Sequence, residues 1–301
     1  MSERNRFEGK VAVVTGAGSG LGEASALQMA SEGAAVVVVD WNRDAAVATV
    51  ERIRHADGEA RPFVGDASEE SVAEAMVEDA VQAYGGLDVL HNNVFGTTMG
   101  KVVNIPLDKW NKTLALSLTS YFLGTKYGVM AMLDREGGAI VNTASVHGMT
   151  GDRRMAPYVT AKHGVVGLTL CTALDYAADG IRANAVCPCT METPAFKQLF
   201  GEGEGTESWL AFDPDPSATP ALPTEEDLQA LRQAFRNAHP MGDVAQPRDV
   251  ATVVAFLASD DAPWITGQTV IVDGGLLAPS RTPDFTTMAE ASTLHQIAAE
   301  A

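Results

Sequence analysis

The apolar positions of the chain follow two alternating patterns. Short β-branched runs, such as residues 35–39, are apolar at every position, which is typical of strands covered on both faces. Longer segments between them, such as residues 43–55, carry apolar side chains at helical spacing. The runs predict strands at residues 10–14, 35–39, 60–64, 87–91, 139–143, 181–186 and 269–272. The spaced segments predict helices at residues 21–31, 43–55, 68–84, within 107–133, 158–178 and 247–257.

Strands that are separated by helix-length segments pair through right-handed crossovers and build a parallel sheet. Because no repeat or linker divides the chain, we predict one domain over residues 1–301, an α/β doubly wound parallel sheet between two helix layers. The regular pattern fails over residues 188–240, and such a long irregular stretch is usually a functional lid or disordered. Within it, Thr224–Asp227 resembles a capping box. The tail at residues 278–301 has no partner in the pattern.

Composition narrows the classes of partner and compartment. The chain has 39 acidic and 21 basic side chains, a net charge of −18, which disfavours nucleic acid and anionic membranes. We expect a cytoplasmic protein, because no run approaches the roughly 20 apolar residues that cross a bilayer and no signal peptide is evident. Cys171, Cys187 and Cys189 cannot all pair and lack a second ligand pair, so we expect reduced thiols and no metal.

A glycine-rich turn over residues 15–22 lies between the first predicted strand and the first predicted helix. Gly16, Gly20 and Gly22 let the chain turn sharply, so that backbone N–H groups can approach a pyrophosphate at the positive end of the helix. A lone glycine motif is weak, but this one has the strand before it and the helix after it. The turn therefore predicts a dinucleotide site.

Asp40 ends the second predicted strand, about 20 residues beyond the glycines. A carboxylate at that place accepts hydrogen bonds from the adenosine ribose hydroxyls and repels a 2′-phosphate. Asp40 therefore predicts NAD rather than NADP as the cofactor. The alternative is that Asp40 only caps a turn or helix.

Three residues carry the candidate chemistry. Tyr158 and Lys162 lie one helical turn apart on one face. A phenol has a pKa near 10, and an adjacent ammonium favours its phenolate form, which can take a hydroxyl proton. Ser145 ends the fifth predicted strand, where its hydroxyl can donate to a developing alkoxide. A tyrosine and a lysine at this spacing are more often an ordinary pair of helix residues. The nucleotide turn and Ser145 upstream of them favour the catalytic interpretation.

With these motifs in this order, residues 8–276 resemble the short-chain dehydrogenase/reductase family. The motifs that carry the resemblance are Thr15–Gly22, Asn92–Asn93, Ser145, Tyr158–Lys162, Asn184–Pro188, Trp264–Gln268 and Val272–Gly275. The resemblance implies a Rossmann-type fold and hydride transfer between NAD(H) and a small molecule, a secondary alcohol or the matching ketone. Tyr158 would be the acid/base, and the protein would be a homodimer or homotetramer.

The resemblance also implies a set of cofactor contacts along the carboxyl edge of the sheet. It places the adenine ring at Asp66 and Ala67, the adenosine side at Asn92, and the nicotinamide carboxamide at Met191 and Thr193. The implied set is Gly16, Ser19, Gly20, Leu21, Gly22, Asp40, Trp41, Asp66, Ala67, Asn92, Tyr158, Lys162, Met191 and Thr193.

Three positions depart from the family pattern. Phe95 stands where the family has a small residue, so it either fills core or narrows the substrate pocket. Cys189 replaces a glycine, which indicates a different loop or a side chain that faces the nicotinamide. Ser117 replaces an asparagine that holds a water beside the lysine, and we predict that its hydroxyl can hold such a water as a fourth catalytic group.

The predicted substrate pocket is lined by Phe95, His147, Met149 and Cys189. Further apolar residues of the pocket and lid are Met191, Phe196, Leu199, Phe200 and Trp209. This lining predicts a mid-sized and mostly hydrophobic substrate. Two other functions stay open on the same scaffold, which are an epimerase or lyase with tightly held NAD and a non-catalytic NAD-sensing protein.

Overall fold

The computed structural model describes residues 5–135, 137–194, 196, the backbone of 210–212, and 224–278. Its centre is a seven-stranded parallel sheet in the order β3-β2-β1-β4-β6-β7-β9. The strands are β1 (Val11–Thr15), β2 (Ala35–Asp40), β3 (Glu59–Val64), β4 (Val89–Asn92), β6 (Gly138–Thr143), β7 (Ile181–Pro188) and β9 (Thr269–Val272). The predicted doubly wound α/β fold is confirmed.

Helices cover both faces of this sheet. They are α1 (Gly20–Ser31), α2 (Arg43–His55), α3 (Glu70–Tyr84), α4 (Leu107–Leu114), α5 (Ser120–Leu133), α6 (Ala156–Tyr176), α7 (Glu225–Ala238) and α8 (Pro247–Ala258). Two apolar clusters, one on each side, explain the continuous strand runs. In β1, Ala12 and Val14 pack into the cluster under α1 and α8, whereas Val11 and Val13 pack into the cluster under α3 and α5.

The strand order creates the crevice that the site occupies. From β1 the chain builds outward through β2 and β3, and it then returns to place β4 on the other side of β1. Connections from the neighbouring carboxyl ends of β1 and β4 therefore run in opposite directions and leave a gap. In such sheets ligands bind at this gap, and the glycine-rich turn after β1 lies at it.

A close approach between α5 and β4 fixes the depth of that helix on the sheet. A Cβ at Gly124 would overlap the side-chain oxygen of Asn92. Glycine at this position lets α5 lie closer to the strand than any other residue would. One turn earlier on the same helix, Tyr121 is completely buried.

The long helix that we predicted within residues 107–133 is interrupted. α4 ends at Leu114, and Ala115–Thr119 forms a π-helical turn before α5 begins. A π turn contains an additional residue, so it rotates the following residues relative to an ideal α-helix. Positions inferred from regular helical spacing are therefore displaced after Ala115.

Smaller elements complete the fold. A two-stranded parallel sheet joins β5 (Thr97–Met99) to β8 (Leu210–Phe212), and the sequence pattern did not predict it. Thr224 and Asp227 form the predicted capping box at the start of α7. Much of the predicted lid, including Leu199, Phe200 and Trp209, and the tail beyond residue 278 lie outside the described residues. Among the described helices, none is long and apolar enough to span a membrane.

Candidate active site

The glycine turn after β1 adopts a backbone that requires glycine. Gly16 and Gly20 have φ values of +62° and +57°, in the left-handed region. A Cβ at Gly22 would overlap the carbonyl oxygen of Gly16, so the turn and the first turn of α1 interlock. Ser19 occupies the N-cap without a side-chain cap hydrogen bond, and Leu21 packs into the core. This cradle fits a pyrophosphate group, which backbone N–H groups at a helix N-terminus bind.

Asp40 is tied to the same turn. Its carboxylate accepts hydrogen bonds of 2.9 Å from the backbone N–H groups of Gly18 and Asn42. Burial raises the pKa of Asp40, and the hydrogen bonds from Asn42 and Gly18 oppose that rise. Gly18 has no room for a side chain, because a Cβ there would lie 2.8 Å from the Asp40 carboxylate. Trp41 follows Asp40 and is half exposed.

The other predicted cofactor residues occupy the carboxyl ends of neighbouring strands. After β3, Asp66 accepts hydrogen bonds from the backbone N–H and hydroxyl of Ser68, and Ala67 is buried. After β7, the backbone of Met191 forms an isolated parallel β-bridge with Ala245. The Thr193 hydroxyl oxygen accepts from the N–H of Phe196, and its methyl would lie 3.3 Å from a Cβ at Gly20. The loop after β7 therefore borders the glycine turn.

The two asparagines after β4 have different surroundings. The Asn92 amide is buried between the sheet and α5, where it donates to Asn142 at 2.9 Å. The Asn93 amide reaches the turn instead and donates to the Gly16 carbonyl at 3.4 Å, while its backbone N–H donates to Thr15. The asparagine side chain that borders the glycine turn is therefore Asn93, whereas the sequence interpretation assigned the cofactor contact in this motif to Asn92.

Two further motifs of the sequence hold each other in place. The Asn184 side chain of β7 donates to the Ile265 carbonyl at 2.8 Å and accepts from the Gln268 N–H at 3.0 Å. These bonds join the segment after α8 to the sheet, ahead of β9. The hydrogen bonds of Asn184 with Ile265 and Gln268 therefore support the fold.

Ser145, Tyr158 and Lys162 meet at the carboxyl ends of β6 and β7. Tyr158 hydrogen-bonds the Ser145 side chain, and the Lys162 ammonium lies 5.6 Å from the centre of the Tyr158 ring. Tyr158 is partly exposed. Loss of water around the phenol raises the pKa of Tyr158 to about 12, and the Ser145 hydrogen bond opposes that rise. The structure thus brings together the three predicted catalytic side chains.

Lys162 is buried below Tyr158. Its ammonium donates to the Thr143 carbonyl at 2.7 Å and to the Tyr121 hydroxyl at 3.0 Å. Burial lowers the pKa of Lys162 to about 7, and the electrostatic effect of Cys187 opposes that change. The sequence interpretation missed Tyr121 and Thr143. A hydroxylated aromatic side chain within an apolar helix was the only sequence signal for Tyr121.

The Ser117 hydroxyl hydrogen-bonds Gly96 rather than the lysine. Its hydroxyl accepts from the Gly96 N–H at 2.9 Å and donates to the Gly96 carbonyl at 2.6 Å, and the residue is completely buried. The hydroxyl therefore acts both as a donor and as an acceptor toward the loop between β4 and β5. The structure gives no support to Ser117 as the group that holds a water beside Lys162.

The four predicted substrate residues differ in exposure, and of these His147 has a ring contact with Tyr158. Phe95 is 43% exposed, so it does not fill core, and Met149 is 48% exposed. His147 packs edge-on against the Tyr158 ring at 5.9 Å and pairs with Asp152, while burial lowers its pKa. We refer to Phe95, His147 and Met149, which are two exposed apolar side chains and one imidazole, as the predicted rim of the substrate pocket.

Cys189 is buried, whereas Phe95 and Met149 are exposed. Its thiol donates to the Thr190 carbonyl at 3.5 Å, and burial raises the pKa of Cys189 to about 11. A thiol with a raised pKa stays protonated at neutral pH and is a poor nucleophile. All three cysteines are free of disulfide bonds.

Comparison with known proteins identifies a family. A family model described as short chain dehydrogenase matches residues 10–203, and a second, described as Enoyl-(Acyl carrier protein) reductase, matches residues 211–277. The first match spans the glycine turn, Ser145, Tyr158, Lys162 and Thr193.

Individual relatives match over almost the whole chain. The chain is 38% identical over 272 residues to cyclohexanol dehydrogenase of Acinetobacter sp. (strain SE19), covering 90% of this chain and 96% of that protein. It is 35% identical over 280 residues to meso-2,3-butanediol dehydrogenase of Serratia marcescens, covering 92% and 98%. The solved structure of levodione reductase is similar with a TM-score of 0.80 at 31% identity, covering 91% of this chain and all of that one (100%).

Proposed function

The chain belongs to the short-chain dehydrogenase/reductase family, and from this premise we propose that it is a NAD-dependent dehydrogenase of secondary alcohols or reductase of the matching ketones. Its family is one of oxidoreductases, with relatives that act on alcohols. The observation that carries the proposal is the cluster of Ser145, Tyr158 and Lys162 beside the glycine turn.

The cofactor proposal rests on the turn and on Asp40. The interlocked glycines leave a cradle that a side chain would fill, which fits a pyrophosphate. The Asp40 carboxylate lies at the end of β2, where the backbone N–H groups of Gly18 and Asn42 hold it in place. A carboxylate at this place would accept hydrogen bonds from ribose hydroxyls and disfavour an added phosphate charge. Bound at this place, NAD would supply the hydride acceptor for the alcohol.

The protein groups would handle the proton and the developing charge. Ser145 would donate a hydrogen bond to the substrate oxygen, which orients it toward Tyr158. The Tyr158 phenolate would take the hydroxyl proton during oxidation, and the phenol would return it during reduction. The Lys162 ammonium would favour the phenolate, because an adjacent positive charge stabilises the deprotonated form.

The rim of the site supports a mid-sized hydrophobic substrate. Phe95 and Met149 expose apolar surface, and the pair of His147 and Asp152, next to Tyr158, is the polar exception. One relative acts on cyclohexanol, which is an alicyclic secondary alcohol. We therefore propose alicyclic secondary alcohols as the first class to test, ahead of polyols.

The decisive experiment follows NADH absorbance with purified wild type, Tyr158→Phe and, as control, Tyr84→Phe. The Tyr84 hydroxyl donates a hydrogen bond to the Glu59 carboxylate, remote from the crevice. The wild type and the control should reduce NAD with cyclohexanol, and Tyr158→Phe should be slower by about 100-fold or more, since it lacks the acid/base.

A different result would favour another function. If the wild type binds NAD but neither NAD with alcohols nor NADH with the matching ketones changes absorbance, the dehydrogenase proposal fails. A redox-neutral epimerase or lyase, or an NAD sensor, would then be the better hypothesis.

Cofactor choice is tested at Asp40. We expect Asp40→Ser to lower kcat/KM with NAD by about tenfold or more, because one good hydrogen bond to a charged group is lost. The same variant should improve NADP use, since repulsion of the 2′-phosphate is removed. Asp44→Ser, which removes an exposed carboxylate nearby, is the matched control. Equal losses with both cofactors would contradict the assignment.

We also propose a cytoplasmic homodimer or homotetramer. Exposed apolar side chains on α5 and α6 support the assembly, among them Met130 at 58% and Leu174 at 82% exposure. The proposed compartment rests on the expectation that the three cysteines stay reduced, as is usual in the cytoplasm.

A further inference from the structure

The Lys162 ammonium is a buried charge without a carboxylate partner among the described residues. It is 1% exposed on α6, and the groups that face it are Tyr158 on α6, Tyr121 on α5, Thr143 on β6 and Cys187 on β7. Burying a charge is costly unless hydrogen bonds replace the lost water. The protein must therefore supply neutral acceptors at this place.

Tyr121 supplies one of these acceptors in a fixed orientation. Its hydroxyl donates to the Thr143 carbonyl at 2.9 Å and accepts from the Lys162 ammonium at 3.0 Å. The ammonium also donates to the same Thr143 carbonyl at 2.7 Å. Because the phenol proton is used toward Thr143, a lone pair of the hydroxyl oxygen is left to face the lysine.

The ring of Tyr121 adds to this arrangement. The ammonium lies 4.7 Å from the ring centre, within the range in which a cation is attracted to an aromatic face. The ring itself packs in an apolar cluster with Ala144, Val165 and Cys187. Burial also keeps the phenol neutral, because it raises the pKa of Tyr121.

We propose that Tyr121 is a positioning residue, whose hydroxyl holds the Lys162 ammonium against Thr143 and keeps it charged next to Tyr158. The expected water-holding group on this helical segment, Ser117, directs its hydroxyl to the backbone of Gly96. The proposal rests on the proposed dehydrogenase function for its effect on rate, because Tyr158 is the acid/base only there. The hydrogen bond itself exists independently of the reaction.

Removal of the Tyr121 hydroxyl has a defined electrostatic consequence. Without this acceptor the charged form of Lys162 loses stabilisation, so its pKa falls further below about 7. Less positive charge then stays beside Tyr158, and the pKa of Tyr158 rises. The remaining groups around Tyr158, namely Ser145, Cys187 and the pair of His147 and Asp152, are unchanged by this substitution.

The first test measures the lysine itself, without cofactor or substrate. Lysine labelled with ¹³C at Cε is titrated by NMR in the wild type, Tyr121→Phe and the control Tyr84→Phe, and the Lys162 signal is assigned by its loss in Lys162→Met. In Tyr121→Phe we expect the midpoint to fall by about one to two pH units, the size of one hydrogen bond to a charge. An unchanged midpoint overturns the proposal.

The second test measures the reaction. In Tyr121→Phe the pH at half-maximal kcat/KM for alcohol oxidation should move upward by about one unit, with kcat lowered about tenfold and the alcohol KM little changed. A merely structural tyrosine would give a loss without the pH shift, and that outcome overturns the proposal. If the wild type is inactive, the proposed function fails while the lysine titration still decides the role of Tyr121.

A measurement on the wild type covers the case in which Tyr121→Phe does not fold. Tyrosine labelled with ¹³C at Cζ is titrated, and the Tyr158 signal is identified by its loss in Tyr158→Phe. The buried Tyr121 signal should shift with the same midpoint as the Lys162 Cε signal, because its oxygen accepts from that ammonium. A Tyr121 signal that does not respond to the lysine midpoint overturns the proposal.

Discussion

His91 is a buried imidazole that the sequence interpretation left without a role. It lies in β4 with its Nε2 atom 2.9 Å from the Thr143 hydroxyl, which itself donates to the Asn93 side chain at 3.1 Å. Since the hydroxyl proton is used on Asn93, Nε2 must be the donor toward Thr143. Burial lowers the pKa of His91 to about 3, so the imidazole stays neutral in the fold.

We expect this histidine to make the fold sensitive to acid. The unfolded chain binds a proton at His91 below a pH of about 6.5, whereas the folded state does so only near its lowered pKa, so stability falls as the pH falls. From pH 7.5 to 5.5, the wild type should lose about 1.4 kcal/mol more unfolding free energy than His91→Val. Urea unfolding measures this difference.

The exposed His163 provides the control. Between pH 7.5 and 5.5, His163→Gln should lose as much unfolding free energy as the wild type. An acid loss in His91→Val equal to that of the wild type would contradict the assignment.

At the residue scale, the sequence predicted the side chains whose chemistry needs a fixed spacing. Tyr158 and Lys162 are one turn apart on a regular helix, so spacing alone places them correctly. Ser117 could not be placed in the same way, because it lies inside the π turn. Tyr121 follows that turn, and its contact with Lys162 depends on the packing of α5 on the sheet.

The π turn between α4 and α5 serves the loop that carries Phe95. Ser117 satisfies both backbone groups of Gly96, which follows Phe95 directly. Ser117→Ala would leave these groups unpaired in a buried place, at a cost of about 1–3 kcal/mol in unfolding free energy. A looser loop at the rim should raise the alcohol KM more than it lowers kcat.

Ser120→Ala is the matched control for this prediction. Its hydroxyl bonds the Leu116 carbonyl within the same helical segment, so its loss should affect the loop much less. Denaturant unfolding and steady-state kinetics check both variants. The prediction is wrong if Ser117→Ala and Ser120→Ala change the alcohol KM equally.

At the element scale, all seven strands of the central sheet were predicted, because burial on both faces leaves a continuous apolar run. The boundaries of β2 and β9 agree with the sequence within one residue. The three-residue strands β5 and β8 were missed, since a pattern that short has no periodicity. The break at Ala115 was missed because a π turn depends on contacts such as that between Ser117 and Gly96.

At the scale of the whole molecule, apolar surface and net charge act against each other. Exposed side chains on α5 and α6, including Met130 and Leu174, favour association between copies. Each copy carries a net charge of −18, which opposes that association. Screening by salt should therefore strengthen the oligomer.

We expect light scattering to give a dimer or tetramer whose dissociation is reduced between about 0.05 and 0.5 M salt. Leu174→Glu should shift the mass toward the monomer, because it places a charge within the apolar surface of α6. Val103→Glu, at a residue that is 89% exposed but outside α5 and α6, is the control. A wild-type monomer at all salt concentrations would contradict the proposed assembly.

The close contact between Gly124 and Asn92, where a side chain would not fit, bears on the distance between Tyr121 and Lys162. Because α5 can settle fully onto β4 at this point, the Tyr121 hydroxyl one turn earlier comes within 3.0 Å of the lysine ammonium. Most N–H···O hydrogen bonds in proteins have donor–acceptor distances of about 2.7–3.2 Å, so a displacement of a few tenths of an ångström would move this contact to the edge of that range. Gly124→Ala would add one methyl group at this contact and should move α5 away from β4. The distance between Tyr121 and Lys162 would then increase, and proton exchange at Tyr158 should change although residue 124 itself carries no chemistry.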